Sequence, residues 1–138
     1  MDVRVIGIEA KDQAAGEFVL ESLDMAVKAR RVTLEDLVFV SREAGGEVKI
    51  HQTRGLNLGR LRDRGVSDKL MKGVGETLEP GQTMVFALGS EEAIQAIDDR
   101  VKELSAEGEF PTFTVDQHND DALAQAKAQL SRDDAPEA

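Results

Sequence analysis

Two histidines, His51 and His118, and several carboxylate pairs are the residues of this 138-residue chain whose types suit metal or acid–base chemistry. Neither histidine has a second one at a spacing that would put two imidazoles on one metal ion. Asp116, His118, Asp120 and Asp121 form a polar cluster able to bind a divalent ion weakly, but the run lacks the glycine and terminal glutamate of a calcium loop. We read it as an acidic turn that caps a helix. Gly73-Val74-Gly75 has no Lys-Ser/Thr after it, does not join a strand to a helix start, and runs into Glu76, whose charge opposes phosphate. The glycine pair is better explained by close helix packing. No Gly-x-Ser-x-Gly elbow occurs, and no serine has a histidine at motif spacing, which leaves only a triad assembled in space. Glu91-Glu92, Asp98-Asp99 and Asp120-Asp121 fall at helix starts or on polar faces, where they favour the helix dipole or solvate the surface. The absence of cysteine removes disulfides, Cys-ligated zinc, iron–sulfur clusters and thiol catalysis. We therefore assign no catalytic residue, no metal site and no cofactor.

Composition narrows the partners. With 27 acidic and 17 basic side chains, the net charge of −10 repels phosphate backbones, so nucleic-acid binding is not expected. Five Phe, no Trp and no Tyr argue against stacking platforms for single strands or sugars, and each Phe is expected in or beside a core element. The N-terminal residues have strand character and lack the order of a signal peptide, and unbroken apolar runs such as Leu37 to Val40 and Met84 to Leu88 are far too short to span a membrane. The expected location is the cytoplasm.

The elements follow from hydrophobic periodicity. Val3 to Ile8 reads as a buried strand, and Asp12 as the cap of a helix from about Gln13 to Arg30. In that helix Ala15, Phe18, Val19, Leu23, Ala26 and Val27 form the apolar side, with Glu17, Glu21, Asp24 and Lys28 on the wet side. Leu34 to Ser41 and Glu47 to Thr53 read as strands joined by a turn at Ala44-Gly45-Gly46. Ser67 caps a short helix to about Leu78, and Pro80-Gly81 turns into a strand from Thr83 to Leu88. Ser90 caps a helix over Glu91 to Leu104 with the stripe Ile94, Ile97, Val101 and Leu104. A strand at Thr112 to Val115 and a helix at Asp120 to Leu130 complete a single domain over residues 1–130, with 131–138 a disordered acidic tail.

Val3 to Ser41 and Thr83 to Val115 share one plan, strand, capped helix, strand, so the expected fold is a ferredoxin-like α/β sandwich of two βαβ units. The third strand and short helix are insertions between the halves, and the last helix is an addition. A parallel three-layer sheet is disfavoured because the helices look too few to cover both faces. One open sheet face predicts a homodimer packed sheet to sheet. The expected function is that of a non-enzymatic cytosolic accessory or regulatory protein acting through oligomerisation or protein contacts. The alternatives are a small-ligand sensor and a dimeric α/β-barrel enzyme using His51 or a buried carboxylate, the latter requiring an apolar pocket around His51.

Residues Val74 to Thr83, with the sequence Val-Gly-Glu-Thr-Leu-Glu-Pro-Gly-Gln-Thr, precede the apolar strand Met84 to Leu88. Upstream stand Leu34 to Val40 and Val48 to Thr53 in the same order. Over about residues 1–130 this pattern resembles the bacterial domain of unknown function 1269 family, whose members are often labelled predicted membrane proteins. The resemblance implies a Gly- and Ala-rich hydrophobic hairpin between the His-Gln-Thr strand and the following helix. This chain lacks it, so no integral membrane segment is expected, and the family implies no active residues.

Arg54 to Gly65 stands where that hairpin would lie. Arg54, Arg60, Arg62 and Arg64 oppose a single Asp63 there, with Leu56, Leu58 and Leu61 between them. The first reading is a solvated loop whose arginines pair with the protein's own carboxylates. The sharper one is a docking site for a protein partner, phosphate or an anionic membrane surface, because guanidinium groups grip carboxylate or phosphate in bidentate fashion and leucines add apolar contact. Replacing all four arginines by alanine is expected to leave the melting temperature nearly unchanged while lowering retention on anionic vesicles. Loss of stability with vesicle binding intact would make them internal structural partners.

Overall fold

The computed structural model describes residues 3–52, 65–104 and 110–130. In chain order the elements are β1 (Val3–Ala10), α1 (Gln13–Lys28), β2 (Asp36–Arg42), β3 (Val48–Gln52), α2 (Asp68–Gly75), β4 (Thr83–Ser90), α3 (Glu91–Leu104), β5 (Thr112–Val115) and α4 (Ala122–Leu130). The acidic tail lies outside the described residues. Among those described, no helix is long and apolar enough to cross a membrane.

The caps expected from sequence form the helix starts. Asp12 Oδ1 accepts from Ala15 N at 2.8 Å, Ser67 Oγ from Leu70 N at 3.2 Å, and Ser90 Oγ from Ala93 N at 3.1 Å. Each satisfies an amide that the first helical turn leaves unpaired. At the far end of α1, Arg30 adopts a φ of 63° and Arg31 N donates back to Ala26 O at 2.9 Å, closing the helix and turning the chain toward β2.

All strand pairs are antiparallel, in the order β3-β2-β4-β1-β5. Without β3 the order is β2-β4-β1-β5, the interleaving that two split βαβ units produce. This is the ferredoxin-like α+β arrangement, with β3 added at one edge. β1 and β4 form its spine, paired from Val3 with Ser90 to Ala10 with Thr83. The helices of both units, α1 and α3, lie on one face, where Val19, Leu23, Ile94, Ile97 and Val101 pack with Ile6, Ile8, Leu37, Phe39, Val85 and Ala87.

The second face corrects the expectation of an open sheet. α2 and α4 cover it, with Leu70, Met71, Val74, Leu78, Ala122 and Ala126 packed in one core with Val5, Val38, Val40, Met84, Phe86, Phe113 and Val115. The molecule therefore has three layers around an antiparallel sheet, and the reason given for a sheet-to-sheet homodimer no longer holds. A helix of eight residues suffices because its glycines let it sit close. A Cβ on Gly73 would lie 2.6 Å from the Leu123 side chain of α4, and one on Gly75 would lie 2.8 Å from Val48. Within the sheet, Gly7 pairs with both Phe86 and Phe113, whose rings meet edge to face with centroids 6.0 Å apart. A Cβ at Gly7 would run into the Phe113 ring, so the aromatic pair occupies the space the glycine leaves.

A second correction concerns Phe18, expected in the core and found 49% exposed. α1 buries Gly16, Val19, Leu23 and Ala26 instead. Gly16 is the contact point, since a Cβ there would lie 2.8 Å from Phe39 and closer still to Thr83. That approach turns Phe18 away from the sheet.

Ile97 and Val74 are buried to 1% and 0% exposure on opposite faces. Ile97→Asp and Val74→Asp are each expected to lower unfolding free energy by about 3 kcal/mol or more, because a carboxylate would be desolvated without a partner. Chemical denaturation checks this. An unchanged midpoint for Val74→Asp would mean that α2 does not seal the second face.

Candidate functional site

The described residues on either side of the arginine segment meet β2 close together. Gln52, the last residue of β3, pairs with Val38, while Val66 N donates to Asp36 Oδ2 at 2.9 Å. Asp36 and Val38 stand roughly 7 Å apart along β2, so a long excursion has closely spaced ends. The return is clamped twice. Asp36 Oδ1 also accepts from Leu37 N at 3.0 Å, and Gln117 accepts from Ser67 N at 2.7 Å while donating to Gly65 O at 3.1 Å. Asp36 and Gln117 thus hold the base of the segment. Arg54, Arg60, Arg62 and Arg64 themselves lie outside the described residues. Sequence reasoning passed over Asp36 and Gln117, whose roles arise from contacts across 30 and 50 positions.

The turn after β5 is built by its own polar groups. Asp116 Oδ1 accepts from His118 N at 2.9 Å, Asn119 Oδ1 accepts from Asp121 N at 2.8 Å, and Ala122 N donates to Asn119 O at 3.0 Å. These bonds lead the chain into α4, the helix-entry role expected for this run. No grouping of three or more metal-ligating side chains occurs among the described residues.

A polar cluster that sequence reasoning missed lies on β2 and β3. Ser41 Oγ donates to Glu43 Oε2 at 2.8 Å and stands 3.4 Å from His51 Nε2. The signal was available in strand alternation. Once the Gly45-Gly46 turn sets the register, with Ser41 opposite Lys49 and Phe39 opposite His51, all four side chains share one face. The types resemble a nucleophile relay but the order does not. With its hydroxyl hydrogen given to Glu43, Ser41 has none for the imidazole, whereas a nucleophilic serine gives its proton to the imidazole and the carboxylate orients that ring. Ser41 is buried to 6% exposure, and His51 is exposed with its ring tilted against Phe39 at 5.6 Å. His51 is therefore not enclosed by the apolar pocket that the enzyme alternative required.

Arg42 has a structural task on the neighbouring edge. Its guanidinium donates to Gly46 O at 2.7 Å, Glu76 O at 2.6 Å and Leu78 O at 3.1 Å, tying the hairpin to the carbonyl end of α2. The apolar surface with contact potential is on α1. Phe18 and Met25, 49% and 64% exposed, are two helical turns apart on the outer side, with Glu21 one turn from each. The α1 and α3 layer carries eight carboxylates against three cations.

Comparison with protein-family models, with curated proteins and with solved structures gives no match.

Proposed function

We propose that this chain is a non-enzymatic accessory or regulatory protein of the cytosol that acts through protein contacts. The supporting observation is the Phe18 and Met25 pair on α1. Burying either ring or thioether in the sheet would have been possible had the helix rolled, yet Gly16 holds the opposite side against Phe39 and Thr83. Exposed large apolar groups within an acidic surface suit a partner segment that is basic and carries apolar side chains at helical spacing. Met supplies an adaptable surface and Phe a rigid anchor. The carboxylates of α1 and α3 would steer such a segment, and the apolar pair would hold it.

The test uses a helical peptide patterned with Lys and Leu. Wild-type protein is expected to bind it, and Phe18→Ser combined with Met25→Ser to weaken binding by about tenfold or more. The double variant should melt within a few degrees of wild type, since both side chains are already solvated. Equal affinity for the two proteins would reduce the interaction to bulk charge and remove the basis for this reading.

A further inference from the structure

The two edges of the sheet are treated differently. At β5, the Gln129 side chain accepts from Thr114 N at 3.1 Å and donates to Thr114 O at 3.1 Å. One carboxamide thus takes the place of a neighbouring strand's peptide and closes that edge. At β3 the situation is the reverse. Glu43 N donates to Glu47 O at 2.7 Å, which sets the alternation of the hairpin. Glu47, Lys49 and His51 therefore turn their backbone groups toward β2, and Val48, Ile50 and Gln52 turn theirs outward. Among the described residues no hydrogen bond reaches those outward groups of Val48 and Ile50.

We infer that the β3 edge is the docking site for β3 of a second copy, joining two sheets into one of ten strands. The occupant follows from the strand's own pattern. An antiparallel pairing centred on Ile50 sets Ile50 opposite Ile50 of the second copy and Val48 opposite Gln52, giving about six backbone hydrogen bonds. Centring on Val48 instead would run the second strand into the turn at Gly46, whose φ is 97°. Val48 and Ile50 are half-buried against the α2-side core, and the central pair extends that core across the junction. On the other face Lys49 stands opposite His51 of the second copy, with Glu43 on the same face. The two-fold axis is perpendicular to the sheet, so both α1 helices lie on one side of the dimer. Two Phe18 and Met25 stripes are then presented together. This surface is separate from α1, and its failure leaves the peptide-binding result untouched.

Sedimentation velocity between roughly 1 and 200 µM tests the inference, a range set by an interface smaller than a standard one. The 15.0 kDa chain is expected to reach twice that mass at the upper end. Ile50→Pro removes an N–H that β2 does not use, together with a half-buried side chain, and is expected to give a folded monomer whose melting temperature is lowered no further than that of Ile50→Ala. Because the chain has no cysteine, Ile50→Cys gives an independent reading. Paired residues of this kind have Cα atoms about 5.5 Å apart, within disulfide reach, so oxidation should yield a covalent dimer faster than for Lys49→Cys, which faces His51 rather than itself. A wild-type monomer throughout the range overturns the inference and makes Lys49 a guard of the edge. A dimer that survives Ile50→Pro, or equal crosslinking of the two cysteine variants, places the contact elsewhere and overturns it as well. If Ile50→Pro fails to fold, the cysteine pair decides.

Discussion

β4 runs through the middle of the sheet with every residue from Thr83 to Gly89 buried, so neither face can be left to water. Its alternate side chains feed two separate cores. Val85 and Ala87 point into the α1 and α3 layer, whereas Met84, Phe86 and Leu88 point into the α2 and α4 layer. The rest of the chain is arranged to satisfy this double requirement at short range. Glycines sit where a helix or a ring must come closest: Gly16 under α1, Gly75 against Val48, and Gly7 beneath Phe113. A side chain at any of these positions would push a layer away from β4 or displace an aromatic ring.

Local signals were legible wherever a residue's role was settled by its neighbours. The capping residues Asp12, Ser67 and Ser90, the turn at Gly45-Gly46, and the strand Thr112–Val115 stand where side-chain chemistry and periodicity put them. The interleaved pairing was legible too, because a strand, helix, strand plan repeated in both halves leaves few right-handed ways to share a sheet. What escaped was the decision between layers. The helices looked too few to cover both faces, yet α2 and α4 together cover the second one, with the Gly73 and Gly75 pair allowing the close packing expected of it. Phe18 looked like a core residue by type. The roll of α1 was set by Gly16, and a glycine contributes nothing to an apolar periodicity.

The candidate site was legible as composition but not as geometry. The arginines of residues 54–64 stood out by charge contrast, whereas the groups that hold the base of their segment, Asp36 and Gln117, are ordinary polar residues whose partners are remote in sequence. Ser41, Glu43 and His51 show the opposite lesson. Their proximity follows from hairpin register alone, yet proximity is not a relay, because the hydroxyl hydrogen belongs to the carboxylate. The contacts proposed for this chain therefore lie on surfaces the layers leave over: the outer side of α1, where Phe18 and Met25 are exposed, and the outer edge of β3. Both are by-products of how the two cores are closed.

Isotope-filtered NMR on a mixture of labelled and unlabelled chains tests that closure most directly. Gly75 lies against Val48 and Gly73 against Leu123, so their α-hydrogens should show strong NOEs to the Val48 and Leu123 methyl groups. The account predicts that these NOEs arise only within one chain, at every concentration. NOEs of the same pairs between chains, or their absence within a chain, would contradict it by showing that the second face is covered by another copy rather than by α2 and α4.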